Sequence, residues 1–470
     1  MLPGVTVVKQ DGGLGTLPAT ADGKRGIVGV CTSGTPNQIY ILVDQGAVPG
    51  VLGRGPLADA VITQLRKAGG VVYAVPAAAT VNGSITPAVG NPSSPEVTLG
   101  TTSTEALQVQ VKVTKSGALG AGQFQYTLDG GDTWSRSYTL AASFAIPGRG
   151  LTITFAAGSY TVGATYKFTV TAPTASIGDL QAAAQVLVDS PYLMEFIHFA
   201  QPGDNSLWAV AAAVVEDAFN KHKYTHSLCE APGPGSNVDT WVTTLAGYRS
   251  SFTSKDVSVV APWAEVVDPS GLQIERNSAN WYMGRLCSIN IADNPAHVGK
   301  GSITGLSVVS PFTTGTYGKA SSYNNGHALA LDELGYVALM KHQGRNGLFF
   351  VEGRTMADPS SDYSTIMNVR VMNKVMTLQH QIWLDQVQGK VNPLNIEESL
   401  AYMLATSNAA FELMAAREEL VKATIIIPPG QDILSTRQII VEFRVVPFAY
   451  SKEIVLKVGY ENPLLTGQSA

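Results

Sequence analysis

The chain has 470 residues, of which 45% are hydrophobic and only 14% are charged, whereas about a quarter of the residues in a typical soluble protein are charged. Its 31 basic and 36 acidic side chains give a net charge of −5, which argues against a dedicated nucleic-acid-binding protein. No apolar run approaches the roughly 18 residues that span a membrane, and the first residues lack the pattern of a secretory signal, so we expect folding in the cytoplasm.

The N-terminal residues 1–25 are predicted to form an extended arm. A short apolar run, which contains Val5, Val7 and Val8, precedes the glycine-rich stretch 12–15. Such a segment is too short and too flexible to bury a face by itself.

An α/β domain is predicted in two parts, residues 26–80 and 176–365. In the first part a strand, a helix and a strand follow one another, and this order favours a parallel sheet. In the second part helices and strands alternate again. The predicted strands are 27–31, 39–43, 71–75, 225–230 and 257–261, and the predicted helices are 57–67, 180–188 and 207–219.

Residues 81–175 are predicted to be an inserted antiparallel β-sandwich. Turn clusters such as 91–95 and 129–132 separate short segments in which apolar and polar residues alternate. This alternation, with turns about every ten residues, is typical of sheets that have one solvated face. The alternating apolar positions include Val109, Val111, Val113, Phe124, Tyr126, Leu128, Ile153, Phe155, Phe168 and Val170.

The C-terminal domain, residues 366–450, is predicted to begin with two long helices. Apolar stripes mark both helices. We place the second at Asn395–Lys422, with Asn395 as its N-cap.

A β-rich tail follows the helices and continues into a C-terminal arm, residues 451–470. Apolar residues occupy one face of a strand that runs from Ile439 to Val445, and Ile454, Leu456 and Val458 occupy one face of a second run. Unpaired strands leave backbone hydrogen-bonding groups open, and the chain offers these strands no obvious partner. Another copy of the chain is therefore the predicted partner.

One alternative is an α/β nucleotide-binding enzyme with a β-sandwich accessory domain. Gly53, Gly55 and Ala58 form a G-x-G-x-x-A pattern before a helix, as in dinucleotide-binding turns. However, Pro56 supplies no N–H, and the run 75–79, where an acidic residue would be needed, contains none. A turn that starts a helix is the simpler interpretation.

Histidine and cysteine side chains offer a second candidate site. His222, His226 and Cys229 have spacings that are compatible with metal ligation, but a fourth ligand is not evident. The three cysteines, Cys31, Cys229 and Cys287, are odd in number and far apart, so they indicate no disulfide framework. They are expected to be buried thiols, and a disulfide between subunits stays open as an alternative.

The acidic pairs Asp332-Glu333 and Glu418-Glu419 are expected on helices, where adjacent side chains diverge toward solvent. This placement does not suit acid–base catalysis. The sequence also lacks a G-x-S-x-G elbow, an H-E-x-x-H helix and a Walker loop. We therefore predict neither an enzyme nor a cofactor.

A G-R-T turn at Gly353, Arg354 and Thr355 is followed by an N-V-R helix start with Asn368 and Arg370. This passage, within Leu334–Met376, resembles the tail sheath proteins of contractile bacteriophage tails and related contractile injection systems. The family usually has a second arginine after the first, and Val371 stands there. Further similar segments are Pro3-Gly4-Val5, GIVGVCTSGTPNQIYILVD, LADAVITQLRKAGGVVYAVPA and Val257–Gly271. The resemblance covers the chain except residues 81–175.

The resemblance implies a structural subunit of a sleeve. Sheath subunits form stacked hexameric rings that wrap helically around an inner tail tube, in contact with baseplate and tail terminator proteins. Contraction drives the tube through the target envelope, and in phages the genome is then ejected into the host. Neither direct nucleic-acid binding nor membrane insertion is implied. The expected location is the virion tail, assembled in the cytoplasm of the bacterial host.

The resemblance also implies roles for particular segments. The N- and C-terminal arms complete a sheet in neighbouring subunits, and a helix of the C-terminal domain contacts the tube. The insertion is expected on the outside of the sleeve. The implied strand-exchange residues are Val5, Val7, Val8, Ile454, Leu456 and Val458, and the possible tube-facing residues on Asn395–Lys422 are Glu397, Glu398, Glu418 and Glu419.

Overall fold

The computed structural model describes residues 20–89, 94–100, 105–235, 237–268, 271–306 and 322–460. The first elements are the strands β1 (Arg25–Gly29) and β2 (Tyr40–Leu42), the helices α1 (Val48–Leu52) and α2 (Pro56–Ala68), and the strand β3 (Val72–Pro76). β1 and β3 pair in parallel, which confirms the predicted arrangement. β2 lies at the sheet edge and is antiparallel to β3. An antiparallel edge strand on an otherwise parallel sheet is common.

Residues 85–170 form antiparallel sheets around a separate apolar core. Five strands are in the order β4-β13-β6-β8-β9 and three in the order β10-β11-β5, and β7 pairs with β12. Val109, Val111 and Val113 are fully buried, as their alternation predicts, but Gln110 between them is also buried and donates a hydrogen bond to the Gly130 carbonyl. The strands are β4 (Ile85–Val89), β5 (Val97–Gly100), β6 (Leu107–Lys115), β7 (Gly117–Ala118), β8 (Gln123–Thr127), β9 (Tyr138–Thr139), β10 (Ser143–Ala145), β11 (Thr152–Phe155), β12 (Ser159–Tyr160) and β13 (Thr165–Val170).

After this segment the chain returns to the sheet that it left at β3. The six strands have the order β16-β15-β14-β1-β3-β2, so β1 lies between a strand from each part of the chain. Every pairing except that of β2 is parallel. The elements here are α3 (Ile177–Asp189), β14 (Phe196–Pro202), α4 (Asn205–Asn220), β15 (His226–Glu230), α5 (Val238–Ser250), β16 (Val257–Val260), β17 (Trp263–Val267), β18 (Gln273–Asn277), α6 (Ala279–Ser288), a 3-10 turn (Val298–Lys300), α7 (Asn325–Glu333), β19 (Leu339–Met340) and β20 (Phe349–Phe350).

Two long helices, two short helices and a strand hairpin form the C-terminal part. The elements are α8 (Ile366–Leu384), α9 (Ile396–Ser399), α10 (Ala401–Ala416), β21 (Lys422–Ile426), α11 (Ile433–Thr436) and β22 (Glu442–Val446). The side chain of Asn395 accepts a hydrogen bond from the Glu398 backbone N–H, which confirms the predicted N-cap. The predicted single helix Asn395–Lys422 is wrong. It is interrupted at Leu400, which is fully buried, and it stops at Ala416, after which Glu418 adopts a positive φ of 56°.

The first strand of the tail has a partner within its own chain, contrary to the prediction. β22 pairs antiparallel with β21, and Phe443 and Val445 pack against the buried cluster that contains Phe411. Lys422, expected at the end of a helix, instead begins β21. The reversal of the chain between the two strands supplies a local partner, which the apolar alternation of a single strand could not indicate.

Candidate inter-subunit arm and its anchors

The described part of the C-terminal arm, residues 451–460, leaves the body with its apolar side chains in solvent. Ile454, Leu456 and Val458 are 74%, 80% and 93% exposed, and Val455 between them is 71% exposed. Residues 453–460 form no strand pairing within the described part of the chain. A run of apolar residues with open backbone groups is a template for pairing with another chain. The geometry is therefore suited to donating a strand.

An ionic cluster holds the base of this arm. The Lys452 ammonium lies 2.6 Å from Oδ2 of Asp332 and 2.8 Å from Oε2 of Glu352. Arg354 donates to both carboxylate oxygens of Asp332, at 2.9 and 3.1 Å, and its Nη2 lies 3.1 Å from Oε2 of Glu352. Two cations thus face two carboxylates. We call Asp332, Glu352, Arg354 and Lys452 the C-terminal anchor.

Local packing positions Arg354 in this anchor. A Cβ added to Gly353 would lie 2.6 Å from Cγ2 of Ile366, so the close approach of the chain to α8 requires glycine. The Arg354 carbonyl accepts a hydrogen bond from Ser258 Oγ, and Thr355 Oγ1 donates to the Tyr363 carbonyl. The G-R-T turn is therefore fixed on both sides, and the guanidinium points to the end of α7.

Burial and charge together set the protonation of the C-terminal anchor. Burial alone would raise the pKa of Asp332, but hydrogen bonds from Arg354 and Lys452 outweigh it, and the pKa lies below its ordinary value. Burial opposes the charge of Lys452, yet its bonds to Asp332 and Glu352 raise the pKa of the ammonium. Asp332 is therefore ionised and Lys452 charged at neutral pH.

A second ionic cluster holds the segment that leads to the N-terminal arm. Arg370 on α8 is buried against Glu195, whose other carboxylate oxygen accepts from the Gly23 N–H at 2.6 Å. Lys374, one turn further along α8, contacts Asp22 at 2.5 Å and Glu419 at 2.7 Å. Residues four apart share one face of a helix. We call Asp22, Glu195, Arg370, Lys374 and Glu419 the N-terminal anchor.

The sequence-predicted motif residues are thus divided between the two anchors. Arg354 lies in the C-terminal anchor and Arg370 in the N-terminal anchor, while Asn368 donates to the Asp362 carbonyl at the start of α8. Val371, where the resemblance leads one to expect arginine, belongs to a buried apolar cluster. Val5, Val7 and Val8 lie outside the described residues.

Several predictions for acidic residues are wrong. Glu419 is not on a tube-facing helix. It is buried, and its carboxylate binds Lys374 inside the protein. Glu418 lies in the turn after α10. The side chain of Asp332 is buried and binds Arg354 and Lys452, whereas it was expected to point to solvent. Glu397 and Glu398 do lie in the first turn of α9, at its exposed surface.

The histidine and cysteine residues do not converge on one site. Successive side chains of a strand point to opposite faces, so His226 and Cys229, three apart on β15, diverge. His226 bonds to Ser258 Oγ, and the ring of His222 stacks on that of His380 at 4.3 Å between centroids. In the described ranges, no group of three or more potential metal ligands occurs.

The environments of the thiols do not favour oxidation. Burial raises the pKa of Cys31 and of Cys287 to about 11, and it raises the pKa of the fully buried Cys229 further. Because the thiolate is the reactive form, thiols of this kind react slowly at neutral pH. All three cysteines are free in the monomer, but only Cys229 is buried, and Cys31 and Cys287 are half-buried, so the prediction of three buried thiols is wrong for these two. A disulfide between subunits stays a proposal.

The glycine turn before α2 is occupied by contacts from residues 85–170. Gly53 and Gly55 adopt positive φ values, and Gly55 caps the helix without a side-chain hydrogen bond. Between them, Arg54 donates to the Gly148 carbonyl at 2.6 Å and lies 3.4 Å from Glu105. A cavity of about 450 Å³ remains beside these residues. The turn thus helps to hold the inserted segment against the α/β sheet.

Sequence reasoning missed the partners of both anchors. The partners in each anchor are separated in the chain, so no local pattern links them. These partners are Asp332, Glu352 and Lys452 in the C-terminal anchor and Asp22, Lys374 and Glu419 in the N-terminal anchor. A signal was available for Lys374, because a charged residue on the apolar stripe of α8 needs a buried partner. No comparable signal exists for Lys452, since it lies in an exposed segment.

Two family models cover nearly the whole sequence. The model described as DUF2586, N-terminal domain, matches residues 2–354, and that described as DUF2586, C-terminal domain, matches residues 362–465. No curated protein matches the sequence significantly. In the described part of the chain, no helix has the length and apolarity needed to cross a lipid bilayer.

Solved structures of contractile particles share the fold. A chain of the PVC sheath complex, an extracellular contractile injection system in its contracted state, aligns with a TM-score of 0.54 at 10% identity over 98% of both chains. A chain of the contracted anti-feeding prophage baseplate aligns at 0.55 and 10% identity, over 97% of this chain and 98% of that one. The sheath tail protein of Desulfitobacterium hafniense aligns at 0.49 and 12% identity, over 95% and 100%. The resemblance to sheath proteins is confirmed at the level of fold.

Proposed function

Since the chain belongs to the DUF2586 family and has the fold of contractile sheath proteins, we propose that it is a structural subunit of a contractile tail sheath. In this proposal it polymerises as stacked hexameric rings, forms a helical sleeve around an inner tube and contracts to drive the tube through a cell envelope. It would assemble in the bacterial cytoplasm as part of a phage tail or a related particle, next to baseplate and terminator proteins.

The observation that carries the proposal is that the C-terminal arm is anchored at its base and that its residues 453–460 pair with no strand in the described part of the chain. Its base is held by Lys452, while Ile454, Leu456 and Val458 beyond it are exposed. A strand added to a neighbour's sheet supplies backbone hydrogen bonds, and pockets for alternate side chains give it specificity. The hairpin of β21 and β22 pairs with no third strand in the ranges that the structure describes, and it is the proposed acceptor.

The two anchors suit a subunit that must move as a rigid body. Each terminal segment is bound to the body by charged groups that are at least partly buried, close to the point where it leaves. Movement of the subunit would then be transmitted to the arms, and bending would be confined to residues outside the anchors. The N-terminal residues Val5, Val7 and Val8 are proposed to pair with a neighbour in the same way.

The surface of α9 and α10 is the proposed tube contact. Leu394, just before α9, is 95% exposed, and Tyr402 at the start of α10 is 73% exposed. Glu397 and Glu398 lie between them and give this end of the helix pair a negative charge. Residues 85–170 are proposed to project outward from the sleeve.

Electron microscopy of the purified protein tests the proposal. We expect the full chain to form hollow, striated tubes, and we expect deletion of residues 1–15 or 451–470 to leave a folded monomer that forms none. Normal tubes from both truncated chains would exclude arm exchange. Binding of a nucleotide by the monomer, measured by calorimetry, would instead favour the nucleotide-binding enzyme.

A further inference from the structure

Lys374 lies between two carboxyl groups in the interior of the protein. Its Nζ is 2.5 Å from Oδ2 of Asp22 and 2.7 Å from Oε1 of Glu419. The side chains of Lys374 and Glu419 are 4% and 8% exposed, and that of Asp22 is 34% exposed. The three residues come from three segments: the chain before β1, the middle of α8 and the turn before β21.

The surroundings of this triad oppose full ionisation. Val371 and Leu378, on the same side of α8 as Lys374, belong to a buried apolar cluster together with Leu420. Oε2 of Glu419 is buried and has no hydrogen-bond partner in the described ranges. Burial raises the pKa of Glu419, although Lys374 partly opposes this effect. A carboxylate with a free, desolvated oxygen is a suitable acceptor for a proton from the neighbouring ammonium.

We propose that Lys374 and Asp22 condense into an isopeptide bond and that Glu419 carries the protons. Glu419 takes one proton from the Lys374 ammonium, and the neutral Nζ attacks Cγ of Asp22. The C–N bond forms, and one C–O bond of Asp22 breaks. The leaving oxygen departs with two of the original ammonium protons, delivered through Glu419, as one water molecule. Atoms and charge balance without any other reactant.

Geometry assigns Asp22, rather than Glu419, as the carboxyl that forms the bond. Asp22 is the more exposed of the two, so the released water has a route to solvent. Glu419 is enclosed and keeps one oxygen unpaired, which fits a group that shuttles protons. The folded chain holds amine and carboxyl in contact, and this proximity supplies a high effective concentration for the condensation.

The bond would join the N-terminal segment to α8 in the folded monomer, whether or not the protein assembles. The bond would leave the backbone before Asp22 without a covalent attachment to the body, and it would attach Asp22 covalently to α8. A covalent bond at this point would withstand a larger force on the N-terminal arm than the ion pair between Lys374 and Asp22 would.

Mass spectrometry of the denatured full-length protein tests the proposal. We expect an intact mass lower by one water than the sequence mass. Trypsin should then yield a branched peptide that joins residues 10–24 to residues 371–390, because the modified Lys374 is no longer cleaved. The branched peptide is required, because Asp22 precedes Gly23 and a succinimide at this Asp-Gly step would also lose one water.

Two substitutions complete the test. Lys374→Arg retains the charge but not the nucleophilic amine, and Glu419→Gln retains the shape but not the proton acceptor. We expect both proteins to lack the branched peptide. An unbranched wild-type chain at the full sequence mass overturns the proposal, and so does a branch between residues 371–390 and 418–422, which would make Glu419 the bonded residue. A branched peptide that persists in Glu419→Gln overturns the role of Glu419.

Discussion

The C-terminal anchor predicts that two neighbouring substitutions have very different costs. Asp332 is 1% exposed and binds Arg354 through two hydrogen bonds, so Asp332→Asn removes the bidentate one of the two carboxylates that face this partly buried guanidinium. Loss of one member of a buried ion pair costs about 3 kcal/mol in the free energy of unfolding. Lys452 is 52% exposed. Lys452→Ala removes a solvent-screened contact, and we expect a loss below about 1 kcal/mol.

Urea unfolding, followed by tryptophan fluorescence, measures both costs. Lys457→Ala is the matched control, because Lys457 is an exposed lysine on the same arm. We also expect hydrogen exchange of residues 447–453 to accelerate in Lys452→Ala, although the body stays folded. Two results would refute this reasoning. One is an equal loss of stability in Asp332→Asn and Lys452→Ala, and the other is unchanged hydrogen exchange of residues 447–453 in Lys452→Ala.

Three further predictions concern pH, packing and assembly. The folded-state pKa of Asp332 is lowered, so the ionised carboxylate stabilises the fold above the unfolded pKa of about 3.9, and this stabilisation is lost as pH falls through the folded-state pKa. The melting temperatures of wild type and Asp332→Asn should therefore converge at acid pH. A difference in melting temperature that stays constant with pH would contradict this prediction. Gly353→Ala should lower the free energy of unfolding in urea by about 1–3 kcal/mol, because the added methyl group overpacks against α8. Gly247→Ala is the control: a Cβ there meets nothing within 4 Å, so the free energy of unfolding should stay the same or rise. Leu456→Asp should leave the monomer's circular dichroism unchanged and abolish tubes in electron micrographs; normal tubes would contradict the exchange of this strand.

Local patterns in the sequence predicted much of the secondary structure. The strands β1, β3, β15 and β16 and the helices α2, α3 and α4 lie close to the predicted ranges, because period and capping residues are local signals. The strand β14 was not predicted. Its residues, Phe196–Pro202, form a short apolar run, which does not by itself distinguish a buried strand from part of a helix.

The errors arose where tertiary contacts override local preference. The residues after Ala416 suit a helix, but burial of Glu419 against Lys374 turns the chain toward β21. The tail strand β22 was predicted to be unpaired within the chain because the apolar alternation of a single strand does not identify its partner. That partner is β21, of which only Lys422 was assigned to the helix. The motif residues Arg354 and Arg370 were selected by resemblance, but only the folded chain reveals their carboxylate partners.

The central claim is that residues 453–460 of the C-terminal arm are exposed in the monomer and enclosed by a neighbour in the assembly. A thiol introduced by Leu456→Cys measures this directly, because residue 456 is 80% exposed and the raised pKa values of the native cysteines keep their background labelling low. We expect rapid labelling by a thiol reagent in the monomer and strong protection in assembled tubes, with the unsubstituted protein as the background control. Equal labelling rates in monomer and tubes would contradict the account.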